Sequence, residues 1–181
     1  KVNFLVNTIL VTSALYLFLV TSREFLIKGI NNLAQNLAHF GFSLLILSIL
    51  FNNFFSTEVI TNLKIGETFK SEKIHITFES IEKKEIKNYS SIIGKININD
   101  PKGLNQTLEP ELRIYNQPNI VTSEADIKTN LFSDKFITMN LVQNQDYFNI
   151  RYQIKPFMIW IWLSVLLICS GGLISLFRKK I

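Results

Sequence analysis

Two hydrophobic patterns divide this chain. Three segments, about Val2–Val20, Leu33–Phe51 and Phe157–Phe177, are apolar almost throughout. The first and last contain 19 and 21 residues and no charge. At about 1.5 Å per residue, each is long enough as a helix to cross ~30 Å of hydrocarbon. The stretch between the second and third segments behaves differently. Phe148, Ile150, Tyr152 and Ile154 alternate with polar neighbours, as do Ile74, Ile76 and Phe78, the pairs Ile96/Ile98 and Leu112/Ile114, and Ile137, Met139 and Leu141. Period-two alternation over short runs marks half-buried strands.

Turn-forming residues separate these runs at Asn99-Asp-Pro-Lys-Gly103, Asn116-Gln-Pro118, Ser133-Asp134 and Asn144-Gln-Asp146. Five or six strands over roughly 100 residues suffice for a small sandwich or open barrel with its own core. The expected fold is therefore a membrane α-helical protein with three transmembrane helices and an extramembrane all-β domain inserted between the second and third. Its parts are two helices with a short loop in 1–55, the β domain in 56–156, and the third helix with a basic tail in 157–181. Glu82-Lys-Lys-Glu85 reads as a solvated strand end or loop. Pro156 suits the first turn of the last helix, where a missing N–H costs nothing, and Trp160 and Trp162 suit a membrane interface.

Charge changes the picture only through its location. The chain carries 19 Lys and Arg against 14 Asp and Glu, a net charge of +5. Residues 56–156 hold 13 of each sign, so the excess flanks the apolar segments. A nucleic-acid reader would concentrate its charge on a soluble face, and no nucleic-acid partner is expected. Basic flanks instead set membrane orientation. Arg178, Lys179 and Lys180 place the C-terminus inside, and Arg23 and Lys28 place the Ser22–Asn32 loop on the same side. The β domain is then outside; Lys1 alone falls on the opposite side. Starting at Lys1 rather than Met, the sequence is expected to be a fragment of a longer protein. Its first apolar segment lacks the cleavage site of a signal peptide. The single cysteine, Cys169, lies within the third segment as a small packing residue, and Gly171-Gly172 reads as a close helix-packing patch.

The most informative candidate is His39, an ionisable residue inside the second apolar segment. Such residues are costly in a membrane and are usually kept for a task, and imidazole ligates iron and carries protons. On residue chemistry alone two readings stand: a ligand to a metal centre or heme, or a histidine hydrogen-bonded to a neighbouring helix. The small residues Ala38 and Gly41 would let a flat macrocycle approach, with Phe40 and Phe42 packing on it. His75, opposite Ile74 and Ile76, reads as solvated. Glu109 and Glu111 share a strand face, and with Glu124 and Asp126 they read as surface charge rather than an acid–base pair. No nucleophile, phosphate loop or Cys/His metal spacing appears.

Several segments in order, Leu37-Ala-His-Phe-Gly41, Pro110-Glu-Leu-Arg-Ile-Tyr115, Val121-Thr-Ser-Glu-Ala-Asp-Ile127, Lys155-Pro-Phe-Met-Ile-Trp-Ile-Trp-Leu163 and Gly171-Gly-Leu173, resemble the C-terminal part of the cytochrome c-type biogenesis CcmF/CycK/NrfE family. The resemblance covers roughly residues 33–180. Family members usually carry Arg where this chain has Ile159, a change of interface charge. The resemblance implies part of a heme lyase that attaches heme covalently to apocytochrome c, in the bacterial inner membrane or the mitochondrial inner membrane. It implies a heme b cofactor whose iron takes His39 as one axial ligand, with the second axial ligand and the tryptophan-rich heme-handling region before Lys1. The implied partners are membrane lipid, apocytochrome c, a heme chaperone and other maturation subunits. The segment by itself is not expected to be catalytic. A rival reading is a non-enzymatic membrane scaffold whose β domain binds a partner and whose His39 only packs.

Overall fold

The computed structural model describes residues 2–28, 32–72, 74–99, 105–142 and 146–177. The basic tail at 178–180, Lys1, and the proposed turn residues 100–103 and 144–145 lie outside the described residues. The chain divides into two compact units. One comprises 1–56, 129–134 and 155–181; the other comprises 57–128 and 135–154.

The first unit is built on three helices: α1 (Val2–Lys28), α2 (Leu33–Phe55) and α3 (Met158–Phe177). All three are long and apolar enough to cross a membrane. α1 runs eight residues past the end of its apolar segment, so Arg23 and Lys28 lie on a helix rather than in a loop. Thr21 and Ser22, next after Val20, turn their hydroxyls back onto Leu17 O and Phe18 O inside the helix and so do not end it.

α2 packs on both other helices, using opposite sides. Towards α1, the hydroxyls of Thr21 and Ser43 hydrogen-bond at 2.7 Å, both buried. The ring of Phe40 lies 5.6 Å from those of Phe18 and Phe25. Towards α3, two glycines let the backbones approach. A Cβ on Gly41 would come within 3.0 Å of Ser164 O, and one on Gly171 within 2.7 Å of Ala34 O and 2.9 Å of Ala38 N. Gly172, by contrast, has open space around it. Of the anticipated Gly-Gly patch, the first glycine alone makes the close contact. Gly171→Ala should therefore loosen the α2–α3 pair although alanine is intrinsically the better helix former by ~1 kcal/mol. Gly172→Ala should be neutral or slightly stabilising. Comparing the thermal stability of the two variants in detergent checks this contrast.

The strand–helix junction also departs from the sequence reading. Pro156 closes the last strand instead of opening α3. Phe157 follows in the left-handed region (φ 61°), and its N–H donates to Phe132 O at 2.9 Å. The side-chain amide of Asn52 donates to Pro156 O at 2.6 Å, and the Phe51 and Phe157 rings stand 5.4 Å apart.

The second unit is a β-sandwich. Its ten strands are β1 (Thr57–Leu63), β2 (Thr68–Lys70), β3 (His75–Ile86), β4 (Tyr89–Asn99), β5 (Asn105–Leu108), β6 (Glu111–Asn116), β7 (Asn119–Glu124), β8 (Asp126–Thr129), β9 (Ser133–Leu141) and β10 (Phe148–Pro156). One sheet has the order β1-β10-β9-β8; the other is β2-β3-β4-β6-β7, with β5 also paired to β4. Most of the alternating positions form the core: Ile76, Phe78, Ile96, Ile137, Met139 and Ile150 are fully buried, joined by Leu108, whereas Ile114 is only half-buried and Leu141 is exposed. Ile76 pairs with Ile98 and Phe78 with Ile96 across β3 and β4. Phe78 meets Phe148 of the other sheet edge-on at 5.2 Å. Gly94 leaves room for Met139: a Cβ there would lie 2.7 Å from Met139 Sδ, so the methionine would have to shift. The Glu82–Glu85 stretch is the solvated end of a strand rather than a loop: it lies towards the end of the 12-residue β3 with its side chains exposed. The turn expected at Ser133-Asp134 falls earlier, where Asn130 N–H donates to Ser133 O, and Ser133 opens β9.

Candidate functional site

His39 stands in the second turn of α2, about 9 Å along the axis from Leu33 at 1.5 Å per residue. The two sides of α2 used by its neighbours determine what surrounds it. Ala38 and Gly41 face α3, and Phe40 faces α1. Three of the four residues expected to frame a macrocycle are thus occupied in helix packing. His39 itself lies on the third side and is exposed, with Gln35, Phe42 and Ile49. These residues follow one another at intervals of four, three and seven, which places them on one stripe of a 3.6-residue helix. Of the expected neighbours, Phe42 remains with the imidazole and is 54% exposed. Gln35 and Ile49 were legible from that spacing.

The geometry offers a single imidazole on a mostly apolar helix face, directed away from α1 and α3. Among the described residues, no three His, Cys, Asp or Glu side chains come close enough to hold a metal ion together. The arrangement therefore suits an axial ligand to a metal already held in a macrocycle, which needs one protein nitrogen per face. His39 is exposed on these three helices, so the imidazole is free to meet something outside them.

The remaining candidates fall elsewhere. His75 is exposed at the start of β3, while Ile74 and Ile76 on either side are buried. Cys169 is a free, exposed thiol on α3. Trp160 Nε1 donates to Leu131 O at 2.9 Å, and Trp162 is 64% exposed. Glu109 is exposed, its N–H donating to Asp126 Oδ2 at 2.7 Å.

Glu111 is more than surface charge. Its carboxylate accepts from Arg113 at 2.9 Å, and that hydrogen bond, opposed by partial burial, holds its pKa below the usual carboxylate range. Arg113 also approaches Glu124 at 3.9 Å, and its guanidinium lies over the Tyr89 ring at 5.1 Å. Tyr89 and Tyr115 pair at 5.2 Å on the same sheet face. The cluster ties β4, β6 and β7 together; a carboxylate kept ionised by an arginine is poorly suited to proton transfer near neutral pH.

The CcmF C-terminal beta-sandwich family model matches residues 54–156. The chain belongs to the CcmF family. The match spans the last turn of α2 and the whole sandwich, and further similarity extends over the helices. A cytochrome c-type biogenesis protein CcmF from Haemophilus influenzae is 26% identical over 165 residues, covering 88% of this chain and 26% of the relative. The cytochrome c-type biogenesis protein ccl1 of Rhodobacter capsulatus is 31% identical over 123 residues, covering 68% of this chain and 19% of the relative. The chain thus spans about a fifth to a quarter of the length of the curated relatives it matches. A solved structure titled cytochrome c heme lyase CcmF has the same fold over 93% of this chain and 31% of its own, with a TM-score of 0.71 and 17% identity.

Proposed function

We propose that this chain is the C-terminal part of a cytochrome c heme lyase subunit and that His39 is one axial ligand of a heme b held within its membrane bundle. The observation that carries the proposal is the exposed imidazole on the free face of α2 in a chain of the CcmF family. A heme held there would supply a one-electron redox centre whose potential depends on its axial ligands and surroundings. The residues of this chain bind and orient. His39 presents a ring nitrogen, Phe42 and Ile49 give the same face an apolar surface, and Gln35 adds a polar group one turn closer to the helix start. The packing of Ala38, Phe40 and Gly41 into α1 and α3 fixes the rotation of α2 and hence the direction of the imidazole.

The second axial ligand and the site of thioether formation belong to sequence before Lys1, in this reading. So do the contacts with apocytochrome c, the heme chaperone and the other maturation subunits, except where the sandwich assists. The boundaries are two membrane helices in 1–55, an outside domain in 56–156 and a third membrane helix in 157–181. The full-length protein purified from membranes should show reduced b-type absorption bands. A colourless preparation would overturn the heme assignment and favour a scaffold.

The orientation follows the basic flanks. The sandwich faces the periplasm or the equivalent mitochondrial compartment, and the C-terminus faces the other side of the inner membrane. A reporter active only outside should be active when fused at Asn105 and silent after Ile181; the reverse pattern would overturn this topology.

A further inference from the structure

The turn between β8 and β9 belongs to the same compact unit as the helices, not to the unit that holds the rest of the sandwich. Its sequence, Thr129-Asn-Leu-Phe-Ser-Asp134, has no charge before Asp134, which is buried. Leu131 and Phe132, at its centre, are 54% and 67% exposed. Two adjacent large apolar residues at the tip of a tight turn are out of place in water.

The tip of this turn is well bonded, although Asp134 at its end keeps one carboxylate oxygen, Oδ1, buried without a partner. Asn130 Oδ1 accepts the N–H of Phe132 at 2.9 Å and of Ser133 at 2.7 Å, and Asn130 N–H donates to Ser133 O at 3.0 Å. The two carbonyls at the tip are met by the start of α3. Leu131 O accepts from Trp160 Nε1 at 2.9 Å, and Phe132 O accepts from Phe157 N–H at 2.9 Å. That second bond is made by a residue held at positive φ, a conformation that non-glycine residues rarely adopt. The outcome is a turn with both tip carbonyls and the Phe132 N–H paired and its apolar side chains bare, which lowers the cost of bringing its backbone to the edge of a medium with little water.

We infer that Leu131 and Phe132 form a membrane-interface anchor, seated in the headgroup–acyl boundary of the lipid beside the first turn of α3. Lipid is the expected occupant because the turn is bonded to the end of a membrane-spanning helix. Trp160 lies in that first turn and the exposed Trp162 opens the next, and indoles favour this boundary. The inference depends on α3 crossing the membrane and is independent of heme.

The test uses the full-length protein in phospholipid nanodiscs, in a background without other cysteines and with Cys169→Ser. A nitroxide is attached at Phe132→Cys and, separately, at Leu131→Cys. Leu166→Cys on α3 and Asn119→Cys on the sandwich serve as references, both exposed. The turn labels should collide more with oxygen than with a water-soluble nickel chelate, as at Leu166 and opposite to Asn119. Preferential collision with the chelate would place the turn in water and overturn the proposal. Protection from both reagents would show that protein covers it and would overturn it equally.

Discussion

Replacing Ile150 with Asp is expected to unfold the β-sandwich. Ile150 has no exposed surface and lies in the cluster that joins both sheets, with Phe78, Ile96, Leu112, Met139 and Tyr152. The substitution removes a buried aliphatic side chain and introduces a carboxylate among apolar atoms. The two effects together cost at least ~4 kcal/mol, a large share of the ~5–15 kcal/mol that stabilises a typical domain. Asn149→Asp changes the adjacent residue on the opposite face. There the side-chain amide donates to Asn62 Oδ1 at 2.7 Å in solvent, and an exposed neutral hydrogen bond contributes about 1 kcal/mol. Proteolysis of the full-length variants in native membranes is the appropriate measurement. The Ile150→Asp sandwich should be digested under conditions where wild type and Asn149→Asp survive. Equal resistance of all three would mean that the apolar face of β10 has been misidentified.

The core strands were legible because they obey the two-residue period with large side chains on the buried face. Ile74, Ile76 and Phe78 show it, as do Phe148, Ile150 and Tyr152, and all six are buried. Strands at or near the sheet edges were not. β7 exposes Ile120 and Val121, which are consecutive, and β8 exposes Ile127 between polar residues in only four positions. With neighbours on one side at most, such strands need no clean alternation. β1 does alternate through Val59, Thr61 and Leu63, but it begins two residues after α2 ends and two of its inward positions carry only small or polar groups. The acidic–basic stretch of β3 shows why charge is a poor guide to loops: Lys83 and Lys84 pair with Ile92 and Ser91 of β4 in extended strand while their own side chains stay exposed.

The candidate site was legible in part. A histidine within an apolar segment identified itself, and its resemblance to Leu-Ala-His in a known family sharpened the reading. Its surroundings were assigned incorrectly because adjacency in sequence is not adjacency in space on a helix. Ala38, Phe40 and Gly41 point some 100–200° from His39 around the axis, at about 100° per residue, and they serve α1 and α3. The residues three and four positions away, Phe42 and Gln35, are its true neighbours on the helix face.

The most direct measurement is the heme spectrum of the full-length protein carrying His39→Ala, beside His75→Ala. If His39 is an axial ligand, its replacement should remove the b-type bands and sharply reduce cytochrome c maturation, while the protein still inserts in the membrane. His75→Ala, at an exposed position on β3, should leave both readouts at wild-type levels. A normal heme spectrum and normal maturation in the His39→Ala protein would contradict the assignment and leave His39 as a residue of helix packing.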